Sequence, residues 1–152
     1  MGTRAVVARL CRLGYVVLLA CCGCSDGKVI VRGTVTVDGQ PIDEGMISLE
    51  PADGQGPTTG GIIKEGKYEL TGNAAVAPGE KIVRISGVRK TGRMIEAGPP
   101  APKGSLITEM MQCVPSQYND KSQVHVEVTP GKPNTLNFFI DSKASPSAAR
   151  PG

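Results

Sequence analysis

Apolar residues in this chain recur at every second position, in short runs that stop at Gly, Pro or Asp. The run 29–37 (VIVRGTVTV) sets Val29, Val31, Val35 and Val37 on one side and Arg32, Thr34 and Thr36 on the other. A period of two is the mark of a half-buried strand, and no stretch keeps the 3.6-residue period of a helix. Asp38-Gly39 supplies a turn, and Pro41 stops the ladder from continuing at once. Residues 46–50 form a second strand with Ile47 and Leu49 inward. The segments 59–64 and 67–71 read as a tight hairpin closed at Glu65-Gly66, with Tyr68 and Leu70 packed inward. Residues 81–90 follow, with Val83 and Ile85 sharing a face. Two further strands, 123–129 and 134–141, flank a Pro130-Gly131 turn, with Val124, Val126, Val128 and Leu136, Phe138, Ile140 inward.

With no Trp, two Phe and three Tyr, the core has to be built from Val, Ile and Leu, which suit pleated, half-buried surfaces. About seven short strands with frequent turns predict an all-β, antiparallel β-sandwich over residues 29–141. Residues 91–114 are the exception and read as a long loop containing Gly98-Pro99-Pro100-Ala101-Pro102. Within it, 105–113 (SLITEMMQC) is compatible with either a strand or a short helix. The end, 142–152 (SKASPSAARPG), has no large apolar residue and is expected to be a disordered tail.

The N-terminal twenty residues have a different character. Arg4, Arg9 and Arg12 precede an apolar run from Leu13 to Ala20, too short to span a bilayer but suited to an export signal. Leu18-Leu19-Ala20-Cys21 resembles the bacterial lipobox, which implies a signal peptide over 1–20 and a diacylglyceride on Cys21. Cys24 is the alternative, preceded by Gly23, and Cys22 fits least. Residues 21–28 then make a lipidated cysteine cluster and short spacer. Removing three arginines takes seventeen basic residues to fourteen, equal to the fourteen acidic ones. The basic balance thus belongs to the signal, and nucleic-acid binding, which needs a clustered basic face, is set aside.

The motif GTVTVDGQPIDEGMISLEP, followed by GKYELTG, resembles a carboxypeptidase regulatory-like domain, a transthyretin-like sandwich. Val114-Pro115-Ser116-Gln117-Tyr118-Asn119, ahead of the last two strands, resembles small lipoproteins of planctomycete bacteria, in which such a turn precedes a final hairpin. The likeness covers residues 29–140. Its motifs are turn chemistry and core spacing, which speak to fold rather than function.

Few residues offer chemistry. Cys113 and His125 are the one pair that suggests nucleophilic catalysis, yet His125 lies between Val124 and Val126 and is expected to face solvent. Lys28, Glu69 and Asn137 can be nominated for an isopeptide bond, but Lys28 and Asn137 have outward parity. Asp38, Asp43, Glu44 and Asp53 lack calcium-loop spacing, and turn capping explains Asp38 and Asp53. One histidine and no second CxxC give no zinc site. The expectation is therefore a non-catalytic, lipid-anchored, extracytoplasmic module of the cell envelope, with no cofactor and no metal. Its partners would be the membrane, through the anchor, and an envelope protein or glycan. The alternative is an accessory carrier or sensor of a small ligand at the membrane.

Overall fold

The computed structural model describes residues 27–143 and the backbone of Arg150 and Pro151. The expected signal peptide and Cys21, Cys22 and Cys24 lie outside the described residues. The fold is all-β, with no α-helix among the described residues. Its strands are β1 (Val31–Val37), β2 (Gln40–Pro41), β3 (Glu44–Pro51), β4 (Thr59–Lys64), β5 (Lys67–Leu70), β6 (Gly79–Glu96), β7 (Leu106–Gln112), β8 (Val124–Val128), β9 (Asn134–Ile140) and β10 (Arg150–Pro151). Single 3-10 turns occupy Gly72–Ala74 and Ser116–Tyr118.

Alternation in the sequence becomes one-sided burial in space. Val31, Val35 and Val37 of β1, Ile47 and Leu49 of β3, Val83 and Ile85 of β6 are all sealed from solvent. So are Tyr68 and Leu70 of β5, the three valines of β8 and the Leu136, Phe138, Ile140 set of β9. All of them join one apolar cluster, so the sheet curls until strands distant in its order share a core. The two tightest turns are built alike. Asp38-Gly39 and Glu65-Gly66 both place two successive residues at positive φ, the geometry that joins antiparallel strands through two residues. Pro41 holds β2 to two residues, and Ile42 just beyond it turns fully inward.

Strand pairing departs from the expected pattern in three places. The strand order is β10-β9-β1-β5-β4-β3-β6-β7, with β2 on β1 and β8 on β6. First, β1 and β9 run parallel, Val31 beside Asn134 and Val37 beside Ile140, so the sheet is not wholly antiparallel. Second, β8 and β9 do not form a hairpin: β8 pairs with β6 and β9 with β1. The Pro130-Gly131 turn is a crossover between edges, braced by Asn134, whose side chain accepts from Thr129 N–H and donates to the carbonyls of Thr129 and Lys132. Third, backbone pairing needs no apolar side chain, and Arg150 and Pro151 of the expected tail lie beside Asn137 and Leu136 on β9.

The segment 91–114 is mostly strand rather than a long loop. β6 continues to Glu96, and β7 returns beside it from Leu106, pairing Ile95 with Ile107 and Lys90 with Met110. The ladder shifts between Lys90 and Met94, around Gly92 at φ +80°. Only residues 97–105, with the proline run, make the tip, closed by Ala97 N–H on Ser105 O. Beyond Val88, where β3 ends its pairing with β6, the two strands project from the body as an arm. Eight residues of β6 make that projection roughly 25 Å long at about 3.3 Å each.

Candidate functional site

The sites named from the sequence resolve one at a time into structural roles. Cys113 Sγ donates to Gly87 O at 3.4 Å, and partial burial against the core pushes its thiol pKa up. His125 faces solvent, its Nδ1 2.8 Å from Glu80 Oε1. Cys113 sits opposite Gly87 on β6 and His125 opposite Ile82. Five residues along one strand separate the two by roughly 16 Å, far beyond hydrogen-bond reach, so they form no catalytic pair.

The isopeptide candidates take other places. Lys28 and Glu69 are exposed, while Asn137 Oδ1 accepts from the backbone N–H and the hydroxyl of Thr34. Of the acidic residues, Asp53 caps its own turn as expected, whereas Asp38, expected to do the same, and Asp43 instead accept from backbone far along the chain. Asp53 Oδ1 accepts from Gln55 N–H, Asp43 Oδ2 from Lys90 N–H, and Asp38 Oδ1 from Ser142 N–H. That bond from Ser142 holds the Asp38 carboxyl below its ordinary pKa. Glu44 lines a shallow open concavity of about 590 Å³ on the outer side of β3, β4 and β6, beside Met46, Ile62 and Lys64. Among the described residues, no group of three or more His, Cys, Asp or Glu is placed to hold a metal ion.

The Pro115–Asn119 turn is structural. Tyr118 is buried, and Arg84 on β6 bonds to Glu50 Oε1 and to the carbonyls of Asn119 and Asp120. Ser122 adds a bond from its hydroxyl to Val83 O. The motif thus fastens the approach to β8 onto β6, which is a fold role rather than a binding one.

What remains is the arm, which leaves large apolar side chains exposed on both of its faces. Met94 and Leu106 on one face are 56% and 61% exposed; Ile95 and Ile107 on the other are 41% and 50%. Paired positions lie on one face of a ladder, so Met110 shares the first face and Met111, opposite Arg89, the second. The first face continues across β6 onto Met46 and Ile62, which are 62% and 65% exposed. Exposed large apolar residues that gather on shared faces, unlike ones scattered singly, make the arm the candidate contact surface among the described residues.

The arm is nevertheless held in shape. At the ladder shift, Thr91 donates its hydroxyl to Glu109 Oε2 at 2.6 Å, and Arg93 bonds both carboxylate oxygens, at 2.8 and 2.9 Å. These bonds hold the Glu109 pKa below the ordinary glutamate value. Glu96 Oε1 accepts from Gly104 N–H at the tip. Arg89 anchors the base by donating to the carbonyls of Val37 and Gln40.

Position sharpens the picture. Val29 bridges Val76, just before β6 begins, whereas the Val37 end of β1 meets Arg89, where the arm leaves the body. The described chain therefore enters at one pole and the arm projects from the other. No helix among the described residues is long and apolar enough to cross a membrane. Comparison with family models, with curated proteins and with solved structures returned no match.

Proposed function

We propose that the chain is a lipid-anchored, extracytoplasmic, non-catalytic envelope module, with Cys21 (or Cys24) as the lipidated residue and the arm as its contact element. In this reading residues 29–141 are a transthyretin-like, carboxypeptidase regulatory-like sandwich, and residues 1–20 are the export signal. The observation that carries the contact role is the arm itself: a ribbon apolar on both faces, aimed away from the pole where the chain enters. A tether a few residues before Gly27 would hold the body at the membrane by the pole opposite the arm and leave the arm uncovered. Two acyl chains or more give a stable anchor where one binds reversibly, and a lipidated cysteine supplies them.

Two measurements test the reading. Intact mass of the mature chain is expected to start at Cys21 with added diacylglyceride, and Cys21→Ala is expected to release it from the membrane fraction. An unmodified N-terminus at Met1 contradicts the anchor. Association of the full chain with envelope protein or glycan is expected to disappear when Ile95, Leu106 and Ile107 are all replaced by Ser.

A further inference from the structure

The outer edge of β7 is unpaired among the described residues. Its hydrogen-bonding phase follows from the arm's two ends. Cys113 donates its N–H to Gly87 O, and Ser105 O accepts from Ala97 N–H. Odd-numbered residues of this strand therefore bond toward β6, and Leu106, Thr108, Met110 and Gln112 present their N–H and C=O groups to the open edge.

Exposed edges are usually blunted by Lys, by Pro or by a bulge. β7 (LITEMMQ) has none of these, and the ladder shift lies in β6. Its only charge, Glu109, is engaged by Thr91 and Arg93 within the arm. A two-stranded ribbon is marginal alone in water, and three or more strands with an apolar face are stable. We infer that the open edge of the arm takes a second copy of this chain, joined antiparallel and edge to edge along β7, beside the envelope contact proposed for its faces.

The strand is complementary to itself. With the two-fold axis at Thr108, Leu106 of one copy lies opposite Met110 of the other on one face, and Ile107 opposite Glu109 on the second. No like charges oppose each other, and the two arms become one four-stranded sheet. Ribbons of this length bury less than about 1,200 Å² in total, the range of weak and reversible pairs, so association is expected at micromolar concentrations. The entry points of the two chains then stand at opposite ends, roughly 90 Å apart along the paired strands, so two copies tethered in one membrane pair with their arms lying along its surface.

The inference rests on the arm being the contact element. Sedimentation of the full chain in density-matched detergent tests it, against Met110→Pro and Met110→Lys. The Met110 N–H faces the open edge, so proline there spares the β6 ladder while blocking strand addition. A reversible dimer is expected, weakened at least tenfold by either variant with the unfolding temperature kept, and unchanged by Phe139→Lys on β9. A wild-type chain that stays monomeric at every concentration overturns the inference, and so does a dimer that neither variant weakens. If the proline variant fails to fold, the lysine variant decides. Either failure leaves the anchor intact, since that is read from the mass of the mature N-terminus.

Discussion

The body and the arm are built from one strand, β6, yet obey opposite rules. From Gly79 to Val88 its residues alternate between core and surface; from Gly92 to Glu96 neither face is covered. In the body, side-chain burial holds the pairing in register, because a slip of one residue would turn Val83 and Ile85 to solvent. In the arm, side chains cannot choose a face, and the register depends on the polar clasp of Thr91, Arg93 and Glu109. Polar bonds thus fix the geometry of the arm while its apolar groups stay in water, which is why we propose it as the contact element.

The comparison breaks most visibly at Gly33. A Cβ there would collide with Leu136 O, where β1 and β9 approach in parallel, and would crowd the Tyr68 hydroxyl. Gly33→Ala is expected to cost at least about 3 kcal/mol, seen as a collapse of the thermal transition. A matched pair comes next. Ile47→Ala opens a cavity in the core and is expected to cost about 3 kcal/mol, whereas Ile107→Ala in the arm stays within about 0.5 kcal/mol, both by denaturant unfolding. Equal losses would mean the arm belongs to the core.

Tyr68 gives a smaller, pH-linked effect. Its hydroxyl donates to Leu136 O at 2.7 Å, and burial pushes its pKa well above the ordinary 10. A raised folded-state value means stability is complete below pH 10 and declines above it, where the unfolded chain ionises first. Tyr68→Phe is expected to lose about 1 kcal/mol at neutral pH and to remove that alkaline decline.

Glu109 gives the smallest effect, confined to the arm. Its lowered pKa means its stabilisation is present above the ordinary value of 4.5 and is lost as pH falls below it. Acid, or Glu109→Gln at neutral pH, is expected to speed amide exchange over 106–112 several-fold while body amides and the unfolding temperature stay unchanged.

How much of this was legible in the sequence depends on which side chains had a face to choose. Every inward residue named for β1, β3, β5, β6, β8 and β9 is buried, because parity alone decides it. Partners were less legible. The Pro130-Gly131 turn suits a hairpin and a crossover equally, and only the Asn134 brace separates them. The arm was hidden because a ladder shift at Gly92 interrupts its parity and the proline tip dominates the local composition. Alternation marks Met46 and Ile62 as outward but does not show that they share a face with Met110 of the arm.

The central claim is that the arm serves contact and the body serves folding. The most direct test replaces Ile95, Leu106 and Ile107 with Ser in the full chain and measures envelope association and unfolding temperature on the same preparation. Association is expected to be lost while the unfolding temperature moves by no more than about 2 °C, the shift of a change near 0.5 kcal/mol. Retained association, or a transition that collapses with the arm, would contradict it.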